Sequence, residues 1–396
     1  MINPLGEQKT EAPRPEVGTL IKLELFRVPP RWLFVRLETS SGLVGWGEAS
    51  LEGYAEAVVG AFEALKDRFL GFEAARTEDI WQIGYRGGFY RGGPVLMSAL
   101  SGLDQALWDL KGKALGVPVW ELLGGKVRDK VQAYGWIGGD RPRDVAEAAR
   151  LRREQGFGIV KMNGTAEAGY LEGQRALDEV VDRVAAVKGE GLEVGVDFHG
   201  RVHRSVAKVL IRRLEPLAPL FIEEPVLSEH REVLRTVISG TSIPIALGER
   251  LYNRWDVKPF LQEGLVDILQ PDLSHAGGIS EVKKIAGMAE AYDVALAPHC
   301  PLGPLALAAC LQLAACTPNV VLQEMSLGIH YNEGSDLHTY LLNPEVLVPQ
   351  DGYLAIPTQP GLGIEIDEAR VREASRIPHR WRNPLWRLED GSLAEW

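Results

Sequence analysis

The sequence predicts an α/β chain in which an α+β unit precedes a closed parallel barrel. Three observations carry this reading. An alternating three-strand pattern opens the chain, and short apolar runs alternate with amphipathic segments from about residue 131. Charged residues then end six successive apolar runs at near-equal spacing.

Residues 1–16, MINPLGEQKTEAPRPE, are rich in Pro and Glu and read as an unstructured N-terminal extension. They lack the apolar centre of a signal peptide. Residues 17–130 form the α+β unit. The run LIKLELFRV alternates, WLFVRLET follows a Pro-Pro turn, and GLVGWGEA follows a Ser-Ser-Gly turn, which predicts three strands. The helical patterns EAVVGAFEALKDRFL and MSALSGLDQALWDLKGKALG come next. RGGFYRGGP, at 86–94, is glycine-rich without the spacing of a phosphate loop and reads as a lid or a helix entrance.

Residues 131–345 carry the barrel. Strands are predicted at VQAYGWI, GIVKMNG, LEVGVDF, LFIEEP, IPIALGE, VDILQPD, VALAPHC and VVLQEM. Segments such as DVAEAARLRREQG, AKVLIRRLEPLA and EVKKIAGMAEAYD separate them with helical periodicity. Eight strands alternating with helices close into a barrel. An open doubly wound sheet is the rival, but no glycine-rich fingerprint follows the first strand. Residues 346–396, with Trp381, Trp386 and Trp396, leave this rhythm and are expected to return to the capping unit.

Composition narrows the function. With 45% hydrophobic and 24% charged residues the chain reads as a globular protein able to bury a large core without disulfides. Its net charge of −11 argues against a nucleic-acid or anionic-membrane surface. No apolar run approaches a membrane span. Cys300, Cys310 and Cys316 crowd one stretch and make no disulfide framework, so a reducing, cytoplasmic setting is expected. Cys300 looks exposed and the other two read as core.

The charged strand-end residues are Asp197, Glu223, Glu249, Asp272, His299 and Glu324, at intervals of 26, 26, 23, 27 and 25 residues. One βα repeat separates each pair, so all six converge on the mouth formed by the carboxyl ends of the strands. Packing alone disfavours this, because converging carboxylates repel and lose hydration. Asp197, Glu223 and Glu249 make an oxygen-only cluster suited to Mg²⁺. Glu224 alternates to the other side of its strand. Asp272 and His299, on adjacent strands, suit a carboxylate–imidazole pair in which His299 is a general base. His199 lies two residues past Asp197 and brings a second imidazole to the mouth. Glu324 can hydrogen-bond an oxygen gaining charge if it is protonated or shares a proton. Lys161 and Asn163 end the second strand, and Lys161 either polarises a substrate carboxylate or balances the acidic triad. His275 and His330 follow strands six and eight as further candidates near the substrate, whereas His203, His230, His338 and His379 fall in helices or loops.

At these residues the chain resembles the enolase superfamily, in its mandelate racemase-like branch, and most closely the D-galactonate dehydratases. The resemblance runs from about residue 17 to 396 through VDFHGR, FIEEPV, GER, LQPDLSHAGGI, APHCPLGP, QEMSLGIHYN, WRNPLWR and AEW. It implies an α+β N-terminal capping domain over a (β/α)7β barrel of TIM type, and a homo-oligomer, often an octamer. It also implies Mg²⁺ on Asp197, Glu223 and Glu249, His299 with Asp272 as base, His199 as acid and Glu324 as enolate stabiliser. Racemases of the branch carry Lys-x-Lys after the second strand; here the run is Lys161-Met162-Asn163, with Asn163 expected against the substrate. The implied reaction is loss of water from a sugar acid such as D-galactonate, with another aldonate or an acid-sugar racemase or epimerase as alternatives. A metal hydrolase would show His-x-His after the first strand, and VQAYGWIGG has none. A non-catalytic binder would have no use for the Asp272–His299 pair.

Overall fold

The computed structural model describes residues 16–139 and 143–396, so residues 1–15 of the extension lie outside the described residues. Strands β1 (Leu20–Val28), β2 (Trp32–Thr39) and β3 (Val44–Glu48) form an antiparallel sheet in that order. Helices α1 (Ala55–Lys66), α2 (Thr77–Arg86), α3 (Pro94–Leu115) and the short α4 (Val119–Leu122) complete the cap. The glycine-rich segment before α3 is a helix entrance: Pro94 opens the helix, and Gly116 at φ +70° closes it in the left-handed region.

α3 is buried almost throughout, because two of its faces have partners. One lies so close to β3 that a Cβ on Gly47 would sit 2.2 Å from the Gly102 carbonyl oxygen. The other meets the barrel. The Gly277 N–H donates to Ser101 Oγ at 2.8 Å, and Trp108 Nε1 donates to Ser280 Oγ at 2.8 Å. Ser280 Oγ donates in turn to Asp104.

The barrel strands are β4 (Lys130–Ile137), β5 (Ile159–Asn163), β6 (Glu193–Asp197) and β7 (Phe221–Glu223). β8 (Ile245–Leu247), β9 (Ile268–Leu269), β10 (Ala295–Leu296) and β11 (Gln323–Met325) continue the series. They pair in parallel in sequence order, β11 pairs β4, and Leu296 bridges Val320 to close the ring. Between them run α5 (Val145–Glu154), α6 (Gln174–Gly189), α7 (Arg204–Leu214) and α8 (Arg231–Ile238). α9 (Arg254–Gln262), α10 (Gly278–Glu290) and α11 (Pro304–Ala315) fill the remaining connections. The closed α/β barrel beneath an α+β cap is therefore the fold the sequence predicts. Tyr134 and Phe221, both buried, plug the barrel interior with ring centroids 6.3 Å apart.

Several strands end earlier than the apolar runs predict, β9 and β10 most of all. β9 and β10 stop before Pro271 and Pro298, which have no N–H to donate to a ladder. Asp272 and His299 consequently sit in the loops just beyond the strands. Later in the chain β12 (Tyr353–Ala355) pairs antiparallel with β4, and α12 (Glu368–Ala374) packs on β1. Arg372 reaches Glu24 there at 3.1 Å. Among the described residues no helix is long and apolar enough to cross a membrane.

Candidate active site

Register brings the first group together. Asn163 pairs with Asp197 across β5 and β6, and Asp197 pairs with Glu223 across β6 and β7. Glu249 follows β8 two residues beyond its end. Asp197 Oδ1 accepts the His199 N–H at 2.6 Å, in a turn where His199 adopts φ +54°. That left-handed conformation costs a non-glycine residue about 1 kcal/mol. The turn is what returns the imidazole to the cavity.

Each carboxylate of the triad has a particular setting. Glu223, fully buried, accepts from Lys161 Nζ at 2.7 Å and from Gln270 Nε2 at 2.7 Å. Glu249 Oε2 lies 3.2 Å from His299 Nε2. Asp197 Oδ2 is buried with no hydrogen-bond partner. Burial, and then the Glu223 charge beside it, push the Asp197 carboxyl well above the usual carboxylate range against the pull of Lys161. The donor set therefore fits a hard dication, which would relieve this concentration of negative charge. As the side chains stand, no three His, Cys, Asp or Glu among the described residues are arranged around a common ion position. Glu223 and Glu249 are instead turned toward internal cations. A rotation re-aims a side chain at small cost, so this donor set can still converge on an ion.

Lys161 balances charge in this arrangement. Its Nζ lies 2.7 Å from Glu223 and 2.8 Å from Glu324, with all three side chains fully buried. Burial alone would lower its pKa, but these two carboxylates raise it well above the usual lysine range. Glu324 is the second carboxylate on Lys161. Burial pushes its pKa up, but Lys161 and His299 outweigh that and leave it below the ordinary value. Its oxygens also accept from Trp136 Nε1 at 2.6 Å and from the Cys300 N–H at 2.8 Å. Glu324 thereby ties Lys161 to the loop carrying His299. Cys300 itself is buried, not exposed, because its backbone is drawn in by that bond.

The two imidazoles have partners of opposite charge. His299 Nδ1 lies 2.8 Å from Asp272 Oδ2. The carboxylate can only accept, so Nδ1 carries the hydrogen and Nε2, 3.2 Å from Glu249 Oε2, is the nitrogen turned toward the cavity that exchanges a proton. Burial opposes charge on His299, yet Glu249, Glu324 and Asp272 raise its pKa well above the usual histidine value. His199 Nδ1 lies 3.0 Å from Arg201 Nη2. A guanidinium can only donate, so His199 Nδ1 accepts and Nε2 carries the hydrogen. Burial first, then Arg201 and Arg250, hold its pKa well below the usual value.

Glu224, at φ +42° and fully buried, faces Arg250 Nε at 3.3 Å and Ser228 on the far side of the strand. Its pKa rises to about 7 through burial, which Arg250 only partly offsets. His275 lies behind the site, with Ser98 Oγ 3.0 Å from Nδ1 and Glu52 Oε2 3.6 Å from Nε2.

A cavity of about 460 Å³ opens above these groups, lined by Asp197, His199, Glu249, His299 and Asn163 on its barrel side. His330 lines it too. Its other wall comes from residues that spacing could not find: Arg31, Glu52 and Tyr54 from the cap, and Asn383 and Trp396 from the C-terminal segment. Arg31 Nη1 pairs with Glu52 at 2.7 Å and Nη2 donates to the Pro301 carbonyl at 2.7 Å, on the loop of His299. The WRNPLWR and AEW runs within the resemblance carry Asn383 and Trp396, whereas nothing in the spacing marks Arg31, Glu52 or Tyr54.

Comparison with known proteins identifies the family. Residues 28–124 match the mandelate racemase / muconate lactonizing enzyme N-terminal domain, and residues 143–370 match the enolase C-terminal domain-like family. A candidate dehydratase from Mesorhizobium loti is 31% identical with a TM-score of 0.83, over 90% of this chain and 98% of that one. A candidate galactarate dehydratase from Agrobacterium radiobacter, solved with sodium and L-malate, is 31% identical with a TM-score of 0.86, over 95% and 99%. A candidate mandelate racemase/muconate lactonizing enzyme from Labrenzia alexandrii is 34% identical with a TM-score of 0.81, over 90% and 99%. With both domains matched and relatives aligned along nearly the whole of their length, the chain belongs to the enolase superfamily, in the mandelate racemase/muconate lactonizing enzyme group.

Proposed function

We propose that the chain is a Mg²⁺-dependent hydro-lyase that converts D-galactonate to 2-dehydro-3-deoxy-D-galactonate. The observation that carries this reading is the opposite pinning of the two imidazoles: Asp272 leaves His299 Nε2 as a base, and Arg201 leaves His199 Nε2–H as a donor. Asp197, Glu223 and Glu249 would hold the metal, which would supply positive charge beside the substrate carboxylate.

His299 Nε2 takes the C2 proton, and the C2–H electron pair becomes the enediolate. Its collapse expels the C3 hydroxyl, which leaves as water with a proton from His199. The remaining enol ketonises, so substrate and product differ by one water. His199 acts as a neutral imidazole: its Nε2–H proton passes to the leaving hydroxyl, and the Arg201 and Arg250 charges stabilise the ring left behind. Asn163 lines the cavity where a racemase would need a second base, and its amide cannot serve as one. The dehydratase descriptions of relatives from M. loti and A. radiobacter support the reaction class.

The test is direct. With Mg²⁺ and D-galactonate the protein is expected to form a 2-keto-3-deoxy acid. No such product from D-galactonate or from any other aldonate in a mono-acid sugar library would overturn the reading.

A further inference from the structure

We infer that Asn383 and Trp396, from the C-terminal segment, read the uncharged hydroxyl-bearing end of the acid, and so select an aldonate over a dicarboxylate. This rests on the dehydratase reading above, in which His199 acts at C3. The carbons beyond C3 then run past His199, and the side chain there is Trp396, whose ring stands edge-on to the imidazole at 5.3 Å between centroids. Trp396 and Asn383 both line the cavity.

Two buried polar atoms of that wall have no hydrogen-bond partner in the protein: Trp396 Nε1 and Asn383 Oδ1. A buried N–H or carbonyl left unpaired is costly, so a ligand group that pairs with it gains affinity. One is a donor and the other an acceptor, and a hydroxyl can serve either. The indole adds an apolar surface against the C–H groups of a sugar chain.

The cations of the wall argue against a second carboxylate. Arg31 is committed to Glu52 and Pro301 and lies over the Tyr331 ring at 4.7 Å. Arg250 faces Glu224 at 3.3 Å and donates to the His199 carbonyl at 2.8 Å. Among the described residues lining the cavity, no other Lys or Arg is present. Gly53 of the cap, at φ +76°, lies beside this amide: a Cβ there would come within 2.5 Å of Asn383 Oδ1, so the glycine leaves that oxygen room for a partner.

The experiment compares the unmodified enzyme with Trp396→Ala, Trp396→Phe and Asn383→Ala on D-galactonate and D-galactarate, with Mn²⁺ affinity followed by electron paramagnetic resonance. The unmodified enzyme is expected to favour D-galactonate by at least about tenfold in kcat/KM. Trp396→Ala and Asn383→Ala should raise KM for D-galactonate about tenfold, while Mn²⁺ binding stays unchanged. Trp396→Phe keeps an aromatic face and loses only the N–H, so it should raise KM about threefold and remains informative if the alanine variant misfolds. KM values within error of the unmodified enzyme, or equal use of D-galactarate, would overturn the inference while leaving the dehydratase reading intact. Failure of the unmodified enzyme on every acid would overturn both.

Discussion

Arg201 Nη2 lies 3.0 Å from His199 Nδ1, and this contact decides which nitrogen of His199 faces the reaction. The guanidinium is almost fully buried and stacks on Trp386 at 4.5 Å. Replacing it by methionine should leave the imidazole free to flip or change tautomer. Dehydration is expected to fall about a hundredfold, the low end of what a positioned acid contributes. Exchange of the C2 proton with D₂O should persist. Equal loss of both activities would show that Arg201 acts on folding or binding rather than through His199.

The two histidine variants should fail differently. His299→Asn is expected to lose both dehydration and C2 exchange. His199→Asn should lose dehydration while its substrate still exchanges at C2, because His299 can return a solvent-derived proton to the enediolate. The C2 signal in ¹H NMR of recovered substrate reads the difference. Exchange by the His299 variant, or full dehydration by the His199 variant, would reverse the roles.

Chelation gives a third expectation. EDTA should abolish turnover, with Mg²⁺ or Mn²⁺ restoring it and Zn²⁺ doing so less well, since the donors are all oxygen. Glu249→Gln removes one of three charges and should weaken Mn²⁺ binding at least about tenfold. Turnover that survives exhaustive chelation would remove the metal from the scheme.

A fourth expectation concerns acid stability. Burial would raise the Glu52 carboxyl, but His275 and Arg31 overcome that and lower its pKa to about 2 from 4.5. A depressed carboxylate stabilises the fold above its unfolded pKa, and the contribution is lost as pH falls from 4.5 through about 2. The groups facing it are Arg31 at 2.7 Å and His275 at 3.6 Å, with His299 beyond. Glu52→Gln should therefore cost about 2 kcal/mol at pH 7 and lose its difference from the unmodified protein toward pH 2. Urea titrations at several pH values would check this, and a pH-independent difference would contradict it.

Much of the barrel mouth could be read in advance because a βα repeat has a nearly fixed length. Asp197 and Glu223 are direct register neighbours, as their spacing implied. The Asp272–His299 pair could be anticipated for the same reason, although Pro271 and Pro298 move both residues into loops. What periodicity cannot reach is charge state. Lys161, 2.8 Å away, draws the Glu324 carboxyl below its ordinary pKa against the effect of burial, and burial followed by Arg201 holds His199 below its own. Nor can it reach Trp396 and Asn383, which join the cavity from a segment with no repeat to align them.

The shared helix α3 bears on how substrate enters. Its bonds to Gly277 and Ser280 on one face, and its close seat under Gly47 on the other, make cap and barrel a single mechanical unit at that point. A hinge that swung the whole cap aside would have to break buried hydrogen bonds and open a packed seam. Traffic in and out is thus left to the short segments at the rim, around Tyr54 and Trp396. Loops of that size move in nanoseconds to microseconds, whereas domain hinges take microseconds to milliseconds. Product escape should accordingly be limited by the rearrangement of a few side chains, and a cross-link between α3 and α10 should leave the turnover rate untouched.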